Sequence, residues 1–148
     1  MPEHNPVSAP SHYTVYPVQP IEITRHLGFC LGNAVKYVLR APYKGGVEDC
    51  DKALQYLDWE AQAPGPDLPY NKGVSVLCTI DLLGEHIAEI EEEDTLRDRV
   101  LVMQTEFLVG LSDYLTVDNA DEKKQALNDM RDSVILLRGD IVNVLINS

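Results

Sequence analysis

The stretch FCLGNAVKYVLRAPYKGGVEDCDKALQYLDWEAQA, residues 29–63, decides the fold. Its first part sets Leu31, Ala34, Val35, Val38 and Leu39 in one broad apolar stripe, which predicts a helix over Phe29–Ala41 that stops before Pro42. Gly45 and Gly46 then allow a tight turn. A following helix over Val47–Ala63 turns Ala53, Leu54, Leu57 and Ala61 inward. Glu48 and Asp49 fall in its first turn, where the helix dipole favours negative charge. Two amphipathic helices joined by so short a connection read as a helical hairpin.

The pattern changes on both sides of this hairpin. Residues 1–20 contain Pro2, Pro6, Pro10, Pro17 and Pro20, too many prolines for a continuous helix. They predict an extended arm with a short strand at Tyr13–Val18. Pro20 then suits the first position of a short helix, Pro20–Leu27, which Gly28 ends. On the far side, Pro64–Lys72 (PGPDLPYNK) has the composition of a linker.

Three more helical patterns follow the linker. Val74–Glu92 carries Val76, Leu77, Ile80, Leu83, Ile87 and Ile90 at helical spacing. Thr95–Leu115 carries Leu96, Val100, Met103, Phe107, Val109 and Leu111, with Asp94 as its cap. Asp121–Ile146 carries Leu127, Met130, Val134, Leu137, Ile141 and Val144 or Leu145, started by Asp118 or Asn119. Short connections between such helices predict antiparallel packing. The fold class is therefore mainly α: an N-terminal extended arm, a helical-hairpin domain, and an antiparallel helical bundle or hairpin extension. The division is 1–63, linker 64–72, and an acidic helical region 73–148 whose long apolar stripe suits a homo-oligomer contact.

Charge and cysteine content narrow the functional classes. The chain carries a net charge of −12. Residues 73–148 hold sixteen acids against six bases, while residues 1–72 hold eight against six. Such a balance opposes general binding to DNA or RNA, whose affinity comes from phosphate neutralisation. It leaves room for a local basic pocket. Cys30, Cys50 and Cys78 lack pairwise or metal-ligand spacing, which predicts reduced thiols and no structural zinc. No apolar run suits a signal peptide or a membrane span, so the expected setting is cytoplasmic.

The residues able to do chemistry lie before the linker. Asn33, Lys36, Tyr37 and Arg40 stand at i, i+3, i+4 and i+7, on one helix face. Lys44 follows in the turn, and Asp49, Lys52 and Tyr56 share a face of the next helix. If the hairpin closes, these stripes meet in a cleft with cationic donors, two phenols and a carboxylate. Cations, above all a guanidinium fork, suit a phosphate. Polar residues at this spacing also describe an ordinary solvated face, in which Asp49 merely pairs with Lys36 or Arg40. His12, beside Tyr13, reads equally as a structural hydrogen-bonding group. The run Glu89, Glu91, Glu92, Glu93 and Asp94 reads as a solvated helix end.

The combination Ser11-His12-Tyr13, Pro20-Ile21-Glu22, Gly32-Asn33, Lys36-Tyr37, Arg40, Lys44-Gly45, Asp49, Lys52-Ala53 and Tyr56-Leu57 resembles a small bacteriophage domain family of unknown function. The resemblance covers residues 11–60, about a third of the chain. One podovirus member of that family is a nucleotide kinase acting on deoxynucleoside monophosphates without an ordinary phosphate-binding loop. This chain has no GxxxxGK[ST] either. The resemblance implies a nucleotide ligand held by Asn33, Lys36, Tyr37, Arg40, Lys44, Lys52, Tyr56 and Tyr13. Asp49 and His12 become the candidate catalytic groups, ATP with or without Mg the candidate cofactor, and no protein-bound metal is implied.

Three functions follow as expectations. The first is a phosphotransferase of the nucleoside monophosphate kinase type. The second is a phage-encoded sponge that sequesters a nucleotide immune signal without turning it over. The third is an acidic inhibitor that docks on a host protein.

Overall fold

The computed structural model describes residues 19–90 and 96–146. Among them there are six helices and no strand: α1 (Ile21–Thr24), α2 (Phe29–Arg40), α3 (Gly46–Gln62), α4 (Tyr70–Ile90), α5 (Leu96–Thr116) and α6 (Ala120–Ile146). The expected strand at Tyr13–Val18 and the Asp94 cap lie outside the described residues, as do His12 and Tyr13.

Helix ends follow the local chemistry. Pro42 has no backbone N–H, so α2 stops before it. Gly46 takes φ +56, the left-handed conformation that reverses the chain into α3. Asn119 caps α6: its Oδ1 accepts from the N–H groups of Asp121 at 2.7 Å and Glu122 at 3.3 Å. Helix α4 begins at Tyr70, inside the stretch whose composition reads as linker, and the N–H of Gly73 donates to Pro69 at 2.9 Å. Proline at a helix start loses only a donor that would have no intrahelical partner, so Pro69 flanks α4 without breaking it.

Side-chain ties give the directions of packing. In α2 and α3, Arg40 meets Asp49 and Tyr37 meets Tyr56, so the two helices run antiparallel across the glycine turn. Between α3 and α6, Asp51 pairs with Arg138 and Asp58 with Arg131, again antiparallel. At the α5–α6 turn the Lys123 ammonium donates to the Tyr114 carbonyl at 2.8 Å. Helix α3 thus lies between α2 and α6, and α5 packs along α6.

One apolar core runs through these helices. Fully buried Ile23, Val35, Leu39 and Leu57 come from the N-terminal helices, and Leu83, Phe107, Leu108, Leu111, Met130 and Leu137 from the rest. Two inward assignments from the periodicity differ from the structure. Val109 is about half exposed, with Leu108 buried in its place, and Ala61 faces solvent near the end of α3. The buried stripe of α5 runs along 104, 107, 108 and 111, which leaves 109 outside.

A buried polar contact ties α5 to the end of α2. The Gln104 amide, fully buried, donates to the carbonyl of Val38 at 3.0 Å and lies 3.4 Å from that of Leu39. In an uninterrupted helix the Val38 carbonyl would accept from residue 42. Pro42 has no N–H to give, and Gln104 supplies the missing donor.

Candidate functional site

The site is built on the α2–α3 hairpin. Arg40, in the last turn of α2, reaches across to Asp49, in the first turn of α3. Its Nε donates to Oδ2 at 2.9 Å and its Nη2 to Oδ1 at 3.0 Å, a two-point fork. Asp49 is 1 % exposed, and its carboxylate folds back over Gly45. A Cβ at Gly45 would lie about 2 Å from that carboxylate, so a larger residue there would push it out of its present place in the fork.

Next to the fork stands an aromatic cluster. The rings of Tyr37 and Tyr56 stack, with centroids 5.9 Å apart and planes 13° from parallel. Tyr56 also meets Phe29 edge-on at 5.8 Å and Trp59 edge-on at 5.4 Å. Three cations gather on Tyr37. Lys36 Nζ lies 4.4 Å from its ring centroid, the Arg40 guanidinium carbon 5.0 Å, and Lys52 Nζ 5.3 Å. Each contact falls within cation–π range. They bring three positive charges to one tyrosine ring in a chain of net charge −12.

The sequence-derived candidates divide accordingly. Lys36, Tyr37, Arg40, Lys52 and Tyr56 come together around the two stacked rings. Lys36 has no ion pair among the described residues, whereas Lys52 also pairs with Glu48 at 3.3 Å. Asn33 turns its amide onto its own helix and donates to the Phe29 carbonyl at 2.7 Å. Lys44 is exposed in the connection between the helices. Asp49 engages both carboxylate oxygens with Arg40. The neighbouring thiol of Cys50 is buried, and burial, with Asp51 and Asp49 adding, pushes it up to about 12. It has no thiolate to offer as a nucleophile or ligand.

Two aromatic members of the cluster were absent from the sequence-derived set: Phe29, 75 % exposed, and Trp59, 46 % exposed. Spacing alone could have found them. Phe29 stands four residues before Asn33 and eight before Tyr37, and Trp59 three after Tyr56, each on the same face as its neighbour.

No curated protein and no solved structure matches this chain. Residues 7–58, which include every described residue of the cationic cluster, match a domain family of unknown function, DUF3310.

Proposed function

We propose that the α2–α3 face binds a mononucleotide, with its phosphate on Lys36, Lys52 and Arg40 and its base against the exposed aromatics Phe29 and Trp59. The gathering of three cations on the Tyr37 ring carries this reading. A phosphate needs concentrated positive charge with N–H donors, and a base needs an apolar, polarisable surface. The hairpin presents both side by side. The resemblance to the phage family supports the same ligand class.

The roles within the proposed site differ. Arg40 is aimed by Asp49, which makes Asp49 a positioning residue for the guanidinium. Lys36, half-buried and without an ion pair among the described residues, supplies charge at little structural cost. Lys52 must exchange part of its contact with the exposed Glu48, a surface pair worth little.

Isothermal titration with nucleoside monophosphates tests the proposal, using the full chain and its Lys36→Ala/Lys52→Ala variant. Each charge-assisted contact contributes about 1.5 kcal/mol or more, so the double variant should lose about a hundredfold in affinity. Incubation of the same nucleotide with ATP and Mg, followed by chromatography, then separates the two forms of the reading. A ligand returned carrying an added phosphate makes the protein a phosphotransferase; one returned intact makes it a sequestering protein. Equal affinity in the folded double variant would remove the site assignment.

A further inference from the structure

Away from the hairpin face, a cavity of about 240 Å³ opens between the end of α3, the connection that follows it, and the turn from α5 to α6. Its walls are of two kinds. Leu31, Leu68 and Leu115 give it an apolar side. Glu60 is the buried acid of its polar side, with Asp67, 93 % exposed, and the exposed Asp118 at the rim and Lys123 as the one cation in the lining.

Glu60 is the unusual member. It is 3 % exposed, yet no cation lies within ion-pair distance of it among the described residues. Its hydrogen bonds there come from one donor, the N–H of Gly65, at 2.9 Å to Oε2 and 3.3 Å to Oε1. Both carboxylate oxygens thus share a single backbone donor. Lys123 does not fill the gap. Its ammonium donates to the Tyr114 carbonyl at 2.8 Å, lies 4.7 Å from the Tyr114 ring centroid and pairs with Asp67 at 3.9 Å. Tyr114, itself buried, also lines this space. Burial raises the Glu60 carboxyl above the usual carboxylate range despite Gly65 and Lys123, the cost of an acid held without a full partner.

We propose that this cavity binds a short aliphatic amine, whose ammonium group donates to the Glu60 carboxylate and whose alkyl chain lies against Leu31, Leu68 and Leu115. The buried Glu60 carboxylate, with no cation in ion-pair distance among the described residues and two further acids at the rim, favours a cation over an anion. The apolar wall favours an alkylammonium over a bare inorganic cation, and the small volume limits the ligand to a few carbons.

Thermal denaturation of the full chain at pH 7 with n-butylamine as the probe tests this. Ammonium chloride and butan-1-ol at the same concentration serve as controls. Butylammonium should raise Tm by about 3 °C near saturation, and neither control should do so. Glu60→Gln keeps an acceptor for Gly65 and should abolish the shift. Asp129→Asn makes the same change of charge on the exposed surface of α6 and should retain it. Should Glu60→Gln fail to fold, Val117→Trp, which places a large side chain in the cavity wall, must abolish the shift instead. A shift that survives in folded Glu60→Gln or Val117→Trp, or that butan-1-ol reproduces, overturns the proposal.

Discussion

Arg40 clamps Asp49 across the glycine turn with two parallel hydrogen bonds of 2.9 and 3.0 Å, one to each carboxylate oxygen. The pair closes the α2–α3 hairpin and fixes the guanidinium 5.0 Å from the Tyr37 ring centroid. Because Asp49 is buried, deleting its partner leaves a charge without compensation. Arg40→Ala should therefore cost about 3 kcal/mol in urea denaturation, and Asp49→Ala a similar amount. The double variant should cost clearly less than the two together. Strict additivity would show that the fork couples nothing.

The turn beneath the pair makes a separate prediction. A methyl group at position 45 would collide with the Asp49 carboxylate, while at position 46 it meets open space but an unfavourable φ of +56. Gly45→Ala should cost about 2 kcal/mol, as overpacking does. It should also weaken nucleotide binding, because the fork that aims Arg40 is displaced. Gly46→Ala should cost about 1 kcal/mol through left-handed strain alone and leave binding unchanged. Chemical denaturation and titration of both variants separate the two effects; equal behaviour would contradict the distinction.

The helices, their order and most of their ends were legible in the sequence because each rests on a local signal: the apolar stripe of α2, Pro42, the Gly45–Gly46 turn, Asn119. The start of α4 was harder to read. Gly, Pro and Asn give Pro64–Lys72 the look of a linker, yet Pro69 and the residues after it also suit a helix start. Spacing likewise set Arg40, Asp49, Tyr37 and Tyr56 on facing stripes, but not which partner Asp49 takes, since Lys36 and Arg40 stand on the same face. Gln104 and Glu60 lay beyond such reading. Their environments come from chain segments dozens of residues apart, and a helical glutamine or glutamate is ordinarily on the surface.

Gln104 yields a prediction of its own. Its amide stands in for the N–H that Pro42 lacks, on a carbonyl buried in the core. Gln104→Leu keeps the volume and removes the donor to the buried Val38 carbonyl, and should cost about 2 kcal/mol. Gln104→Glu should cost more, since a carboxylate facing the same carbonyls loses the donor and adds charge. Urea midpoints of the two variants give the order; a neutral Gln104→Leu would contradict the capping role.

Glu60 makes stability depend on pH. Burial raises its folded-state carboxyl above the ordinary carboxylate value of 4.5. Between 4.5 and that raised value the folded chain binds more protons than the unfolded chain, so this group's contribution to stability falls as pH rises through the window. Glu60→Gln removes the effect. Tm measured from pH 4.5 to 7 should decline less for the variant than for the parent chain, and the variant should be the more stable of the two at pH 7. Parallel curves would mean that Glu60 titrates alike in both states.

The central claim is that the cationic cluster on Tyr37 is a phosphate site. Titration of nucleoside monophosphates into the full chain and into Lys36→Ala/Lys52→Ala tests it most directly, with circular dichroism confirming that both are folded. Saturable binding to the parent chain and a loss of about a hundredfold in the variant are expected. Binding of equal strength to both would contradict it, as would no binding by the parent chain to any nucleotide tested.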